Sequence, residues 1–259
     1  MQRLEPGYRF EAIFCALSNH STAMSHPLPD LPHGDLILGV ETSGRSGSVA
    51  LCRGTEVVVE RTLAEAGRRH AQSLVAEVAE VLREADVRPH DVRILGVSAG
   101  PGSFTGLRVG VVFAKTWAYA THARLVAVNT LEAIAEAAPG DALRIWVLSD
   151  AQRSDVYAGC YARTAPGGPL RVEHEIAILP MTEWQTMVAE GDVVTGPGVD
   201  KLPGHFGMTF AASDVRLPRA AIIARLALET DRKGHWADPA TLEPYYVRKS
   251  AAEELRDGA

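Results

Sequence analysis

The stretch Ser98-Ala-Gly-Pro-Gly-Ser-Phe-Thr-Gly-Leu-Arg-Val-Gly110 has the residue types of an anion cradle. Gly100, Pro101, Gly102, Ser103, Phe104, Thr105 and Gly106 join a short apolar run to a long apolar segment, so backbone N–H groups are uncovered where a helix begins. The same residues also make a tight strand-to-helix turn that lets a helix lie close to a sheet, and both readings stay open. Glu41, Thr42 and Ser43 follow the first apolar run, where they could hold magnesium or touch a phosphate, or serve only as turn residues. Asp150 occupies the matching place after a later run, at the head of the turn Asp150 to Asp155.

Other chemistry is poorly supplied. Ser103 and Thr105 could act as nucleophiles only beside a base, and capping of the following helix is the favoured role for either. The nine histidines are scattered, with no pair at the i, i+3 or i+4 spacing that sets two metal ligands on one helix face. Cys15, Cys52 and Cys160 are odd in number and far apart, as suits small apolar fillers in a reducing compartment. No Gly-x-Ser-x-Gly elbow occurs. This inventory favours a chain with no catalytic residues, no metal and no cofactor of its own.

The elements that must position these residues follow an α/β pattern. Leu36 to Val40, Ser48 to Cys52 and Val57 to Leu63 read as a three-strand meander. From His70 to Ala85, apolar residues recur at three- and four-residue spacing, including Ala71, Leu74, Val78 and Leu82, which predicts an amphipathic helix. Val75 and Ala79 widen its apolar stripe beyond what one sheet face needs. The helix predicted over Leu107 to Thr121 is apolar almost all round, so most of its faces must be covered. Gly110, Ala114 and Ala118 give it one bare edge, fit for a second helix, and Arg108 and Lys115 share a stripe that could meet carboxylates.

After Pro139-Gly140, a second strand, acidic turn and strand (Arg144 to Leu148, Val156 to Tyr161) repeats the opening order, so two related lobes are expected, 35–140 and 141–248. The helix Arg219 to Thr230 is assigned to the second lobe. Residues 1–34 read as a disordered extension or a misassigned start with the true one at Met24, and 249–259 as a mobile tail. No apolar run nears the roughly 18 residues of a membrane span. A net charge of −6 disfavours an autonomous nucleic-acid binder.

Two lobes, each opening on a hairpin with an acidic turn, suggest the actin-like ATPase and sugar-kinase superfamily. Its phosphate loops need glycines; the first turn has Gly44 and Gly47, but the second presents Gln152 and Arg153 instead. Nucleotide hydrolysis is therefore disfavoured, and a small-molecule kinase or ATPase using the inter-lobe cleft is kept as the alternative. In order, Leu36-Ile-Leu-Gly-Val-Glu-Thr-Ser43 with Ser48-Val-Ala-Leu51, Gly100-Pro-Gly-Ser-Phe-Thr-Gly-Leu-Arg-Val-Gly110, Asp150-Ala151 with Val156-Tyr157, and Pro244-Tyr-Tyr-Val-Arg248 closely resemble the TsaB (YeaZ) family.

That resemblance implies a bacterial cytoplasmic, non-catalytic subunit in formation of threonylcarbamoyladenosine in tRNA. It would bind and activate the paralogue TsaD, which transfers the threonylcarbamoyl group, and the ATPase TsaE would join the pair. tRNA would be met only through the complex. The family's dimer contact, a bundle of the first two helices of each partner, would map here onto Ala71, Leu74, Val75, Val78 and Leu82 together with Thr105, Arg108, Gly110, Val111, Ala114, Lys115 and Ala118. The free chain could pair with itself through the same surface. Glu41, Thr42, Ser43 and Asp150 would line a vestigial nucleotide cleft. Glu41 departs from the family's usual aspartate by one methylene.

Overall fold

Buried apolar runs at the centre and more exposed strands at the edges pair into two sheets, and helices cover the sheet faces. The computed structural model describes residues 34–63, 68–151, 155–202, 204 and 207–247, with 68–72 described for the backbone alone. The N-terminal extension, the tail and the pair Gln152-Arg153 lie outside the described residues.

The first sheet holds β1 (Leu36–Glu41), β2 (Ser48–Arg53), β3 (Glu56–Thr62), β4 (Val92–Gly100) and β5 (Arg124–Asn129) in the order β3-β2-β1-β4-β5. β1 to β3 form the antiparallel meander, whereas β4 and β5 run parallel to β1. Helices α1 (Arg68–Glu84) and α2 (Phe104–Thr121) make the crossovers that parallel pairing requires.

The second sheet holds β6 (Arg144–Asp150), β7 (Asp155–Arg163), β8 (Leu170–Pro180), β9 (Val193–Thr195) and β10 (Thr209–Phe210). Its order, read from the other edge, is β8-β7-β6-β9-β10, with the same two antiparallel and two parallel pairings. The sheets are thus topological copies, as the repeated strand, turn and strand implied. The copy is abbreviated: α4 (Met181–Gln185) and a 3-10 segment, Pro197–Lys201, stand where the first lobe has full crossover helices.

Strand alternation sends Leu36, Leu38 and Val40 to one face of the first sheet, where they join Leu74, Val78 and Leu82 of α1 and Val111, Ala114 and Ala118 of α2. Ile37 and Ile94 point to the opposite face and meet Ile223, Ala224 and Ala227 of α5 (Ala220–Arg232). Chain order had placed this helix with the second lobe, but it crosses back to the first sheet. The reason is close fit: a Cβ at Gly96 would come within 2.6 Å of the Ala227 methyl, and one at Gly39 would overlap the Ala220 carbonyl. The remaining long helix, α3 (Thr130–Ala137), packs Leu131, Ile134 and Ala135 on Ile145 and Val147 of the second sheet.

Past α5, the chain forms a strap along α2. The Ala237 N–H donates to the Leu125 carbonyl, Leu242 is buried in the core of α1 and α2, and the Tyr245 N–H donates to the Ala99 carbonyl. Among the described residues no helix is long and apolar enough to cross a membrane.

Candidate functional site

The two glycine-bearing segments of the first lobe meet at the carboxyl ends of β1 and β4. There the Thr42 N–H donates to Ser98 Oγ at 3.3 Å, Thr42 Oγ1 donates to the Gly106 carbonyl at 2.8 Å, and the Ser103 N–H donates to the Ser43 carbonyl at 2.7 Å. Glu41 Oε1 accepts from both the N–H and the hydroxyl of Ser43, each at 2.5 Å. Glu41, Thr42 and Ser43 are all buried. The first turn therefore spends its polar groups on fastening β1 to the start of α2.

The loop glycines serve that contact. A Cβ at Gly106 would overlap the Thr42 carbonyl oxygen, one at Gly102 would lie 2.6 Å from the Ser43 carbonyl oxygen, and Gly110 lies against Thr42 Oγ1. Gly100, with φ of +120°, passes beside the strap at Tyr245, and Pro101 is buried. Ser103 is the N-cap of α2, its Oγ accepting from the Gly106 N–H at 3.3 Å, which is the capping role favoured for it. Of the two readings open in the sequence, close packing accounts for this loop.

Burial raises the Glu41 carboxyl above its ordinary value, against the opposing effect of the Ser43 hydrogen bonds, and its Oε2 has no hydrogen-bond partner. The folded chain thus holds this proton to higher pH than the unfolded chain does. The associated stability is complete below the ordinary carboxyl value and is lost as pH rises through the raised one. A Glu41→Gln chain, with no proton to lose, is expected to gain in urea midpoint relative to the parent as pH rises above the ordinary carboxyl range. Parallel midpoint curves for the two chains would contradict this assignment. Asp150 stands apart from that network and is bound by Lys201 Nζ at 2.6 Å within the second lobe.

The helix pair is arranged differently from its sequence reading. Leu74, Val78, Leu82, Val111, Ala114 and Ala118 are buried in the lobe's own core, and Gly110 faces Thr42, so these seven offer no surface to a partner. The small-residue edge of α2 is turned to the sheet. This corrects the placement of the bare edge toward a second molecule. Ala71 falls among residues whose side chains are not described. The outer faces carry Val75, which is 62% exposed, and exposed Ala79 on α1, with exposed Thr105, Arg108 and Thr116 on α2.

Two α2 residues that sequence reasoning missed complete this surface, Val112 at 62% and Tyr119 at 84% exposure. Their signal was the seven-residue spacing from Thr105 through Val112 to Tyr119, which keeps all three on one helix stripe. Arg108 and Lys115, expected to reach outward together, are engaged by the strap. Arg108 Nε donates to Tyr246 Oη at 3.0 Å, and Lys115 Nζ donates to the carbonyls of Leu242 at 3.1 Å and Ala240 at 3.4 Å.

Neither buried cysteine resembles a nucleophile: burial pushes the Cys52 thiol up to about 11 and the Cys160 thiol up to about 12. Among the described residues no three His, Cys, Asp or Glu side chains are placed to share a metal ion.

Two topologically equivalent α/β lobes, each opening on a β-meander, define the protein as one of the two-lobed actin-like class. Residues 63–166 match the family model for TsaD, tRNA N6-adenosine threonylcarbamoyltransferase. The chain is 28% identical over 223 residues to the tRNA threonylcarbamoyladenosine biosynthesis protein TsaB of Escherichia coli, spanning 83% of this chain and 96% of that one. It is 31% identical over 224 residues to an uncharacterized protein of Mycobacterium tuberculosis, spanning 85% and 94% respectively. The solved structure of YeaZ from Pseudomonas aeruginosa superimposes with a TM-score of 0.67 at 27% identity, over 82% of this chain and 99% of that one. The chain belongs to the TsaB (YeaZ) family.

Proposed function

We propose that this chain is an accessory subunit in the biosynthesis of threonylcarbamoyladenosine in tRNA, one that binds a TsaD-type threonylcarbamoyltransferase and activates it without a catalytic site of its own. The observation that carries this reading is the apolar outer surface of α1 and α2, with Val75, Ala79, Val112 and Tyr119 in water on helices whose inner faces are already packed. An apolar strip on two adjacent helices suits another helix pair, since ridges and grooves of helices interlock and the water they displace is the driving term.

The rest of the assembly follows from the resemblance. The ATPase TsaE joins the pair, tRNA is reached through the complex in the cytoplasm, and the same strip lets the free chain self-associate. The placement of Glu41 and Asp150 supports a role without nucleotide hydrolysis, since the first is sealed under Ser43 and the second is held by Lys201.

Co-expression with the cognate TsaD tests the reading. The two chains are expected to elute together, and the transferase is expected to form threonylcarbamoyladenosine at an appreciable rate only with this chain present. Separate elution, or full transferase activity without this chain, would overturn it.

A further inference from the structure

The end of the strap, Pro244 to Val247, sets the geometry of one exposed cation. The Phe104 and Tyr246 rings stack with centroids 4.7 Å apart, and the Arg108 guanidinium lies 3.9 Å over the Phe104 ring. Its Nε is taken by Tyr246 Oη. The strap is fixed by buried Leu242, by Lys115 at two carbonyls and by the Tyr245 N–H at Ala99, so the residue before Tyr246 is anchored while the Tyr246 ring is stacked on Phe104.

Among the described residues no carboxylate is paired with Arg108, whose hydrogen bond is made through Nε and leaves the two terminal nitrogens to a partner. Helix α2 contains no Asp or Glu at all. Arg108 lies one turn before Val112 on the exposed side, so it adjoins the apolar strip.

We propose that Arg108 is a pre-organised fork for a carboxylate on the helix pair of the docked transferase, with Tyr246 as the residue that aims it. This rests on the docking reading given above. The argument is chemical complementarity: a guanidinium with one nitrogen and one face occupied presents its outer edge, and that edge matches a carboxylate with two parallel hydrogen bonds. Because the strap has already fixed the side chain, little rotamer freedom is lost when the pair forms. The chain's net charge of −6 disfavours an RNA phosphate as the occupant. The remaining rival is this chain's own acidic segment, Glu253, Glu254 and Asp257, outside the described residues.

Calorimetry of the full chain with the cognate TsaD at 50 and 300 mM salt tests the proposal. Arg108→Gln is expected to weaken binding about 10- to 100-fold at low salt and to flatten the salt dependence. Arg108→Lys should recover part of the affinity and all of the salt dependence, since it restores charge without the fork. Tyr246→Phe keeps the stack, loses the Nε acceptor and should cost a few-fold, with an unchanged melting temperature excluding a general loss of structure.

Parent affinity and parent salt slope in Arg108→Gln would overturn the fork while leaving docking intact. Absence of binding by the parent chain would overturn the docking reading itself. A chain ending at Val247 that binds more tightly than the parent, in an Arg108-dependent manner, supports the fork and adds the tail as its competitor. Tighter binding by Arg108→Gln in the full chain would instead make the tail the true occupant and overturn the proposal, as would an Arg108 dependence seen with tRNA alone.

Discussion

A Val112→Glu chain is expected to melt within about 2 °C of the parent and to lose TsaD binding by 100-fold or more. Val112 is 62% exposed on the outer stripe of α2, so the folded monomer gains a solvated carboxylate and gives up little packing. In a complex the same carboxylate would be buried without a partner among apolar side chains, at a cost of about 3 kcal/mol or more. The contrast with the inner face makes the experiment interpretable. Val78→Glu places its charge in the lobe's own core and is expected to unfold the chain, so its loss of binding would say nothing of the interface. Parent-like affinity in Val112→Glu, measured by calorimetry, would remove this face from the docking surface.

The second large effect belongs to the contact that fastens the loop. Gly106→Ala is expected to destabilise the chain by about 3 kcal/mol, or roughly 6 to 12 °C in melting temperature. The added methyl overlaps the Thr42 carbonyl oxygen, which is backbone at the end of a central strand and cannot turn aside as a side chain would. Relief requires lifting α2 off β1, and that breaks the bond from Thr42 Oγ1 to the Gly106 carbonyl. Ser103→Ala, which removes only the N-cap, should cost about 1 kcal/mol. Gly140→Ala serves as the control, because a Cβ there meets only the Gly167 nitrogen at 3.9 Å, and it should fall within about 0.5 kcal/mol of the parent. A Gly106→Ala chain that melts with the parent would mean that the loop and β1 are less tightly joined than the hydrogen bonds imply.

Much of the architecture was legible from residue order. The continuous apolar runs of β1 and β4, the 3.6-period stripe of α1 and the strand, acidic turn and strand repeat all have local causes, and they point to the two related sheets. The Gly-Pro-Gly-Ser-Phe-Thr-Gly loop was legible as a turn into a helix for the same reason. Its purpose was not, because an anion cradle and a packing turn call for the same glycines, and only the position of Thr42 and Ser43 against Gly102 and Gly106 separates them.

By itself, then, the sequence determined the main strands and helices of the first lobe, the repeated strand, turn and strand of the second, and the family. Tertiary structure alone decided which way α2 faces. A helix that is apolar nearly all round has no polar side to give its pattern a phase, so Ala114 and Val112 look equally fit for a partner until the sheet claims one of them. Residue order was equally silent on α5 and the strap, whose contacts with β1, Ala99, Arg108 and Lys115 span more than a hundred residues. Such pairings are fixed by shape, by small residues at Gly39 and Gly96 opposite Ala220 and Ala227, and shape is a property that no local stretch of chain carries.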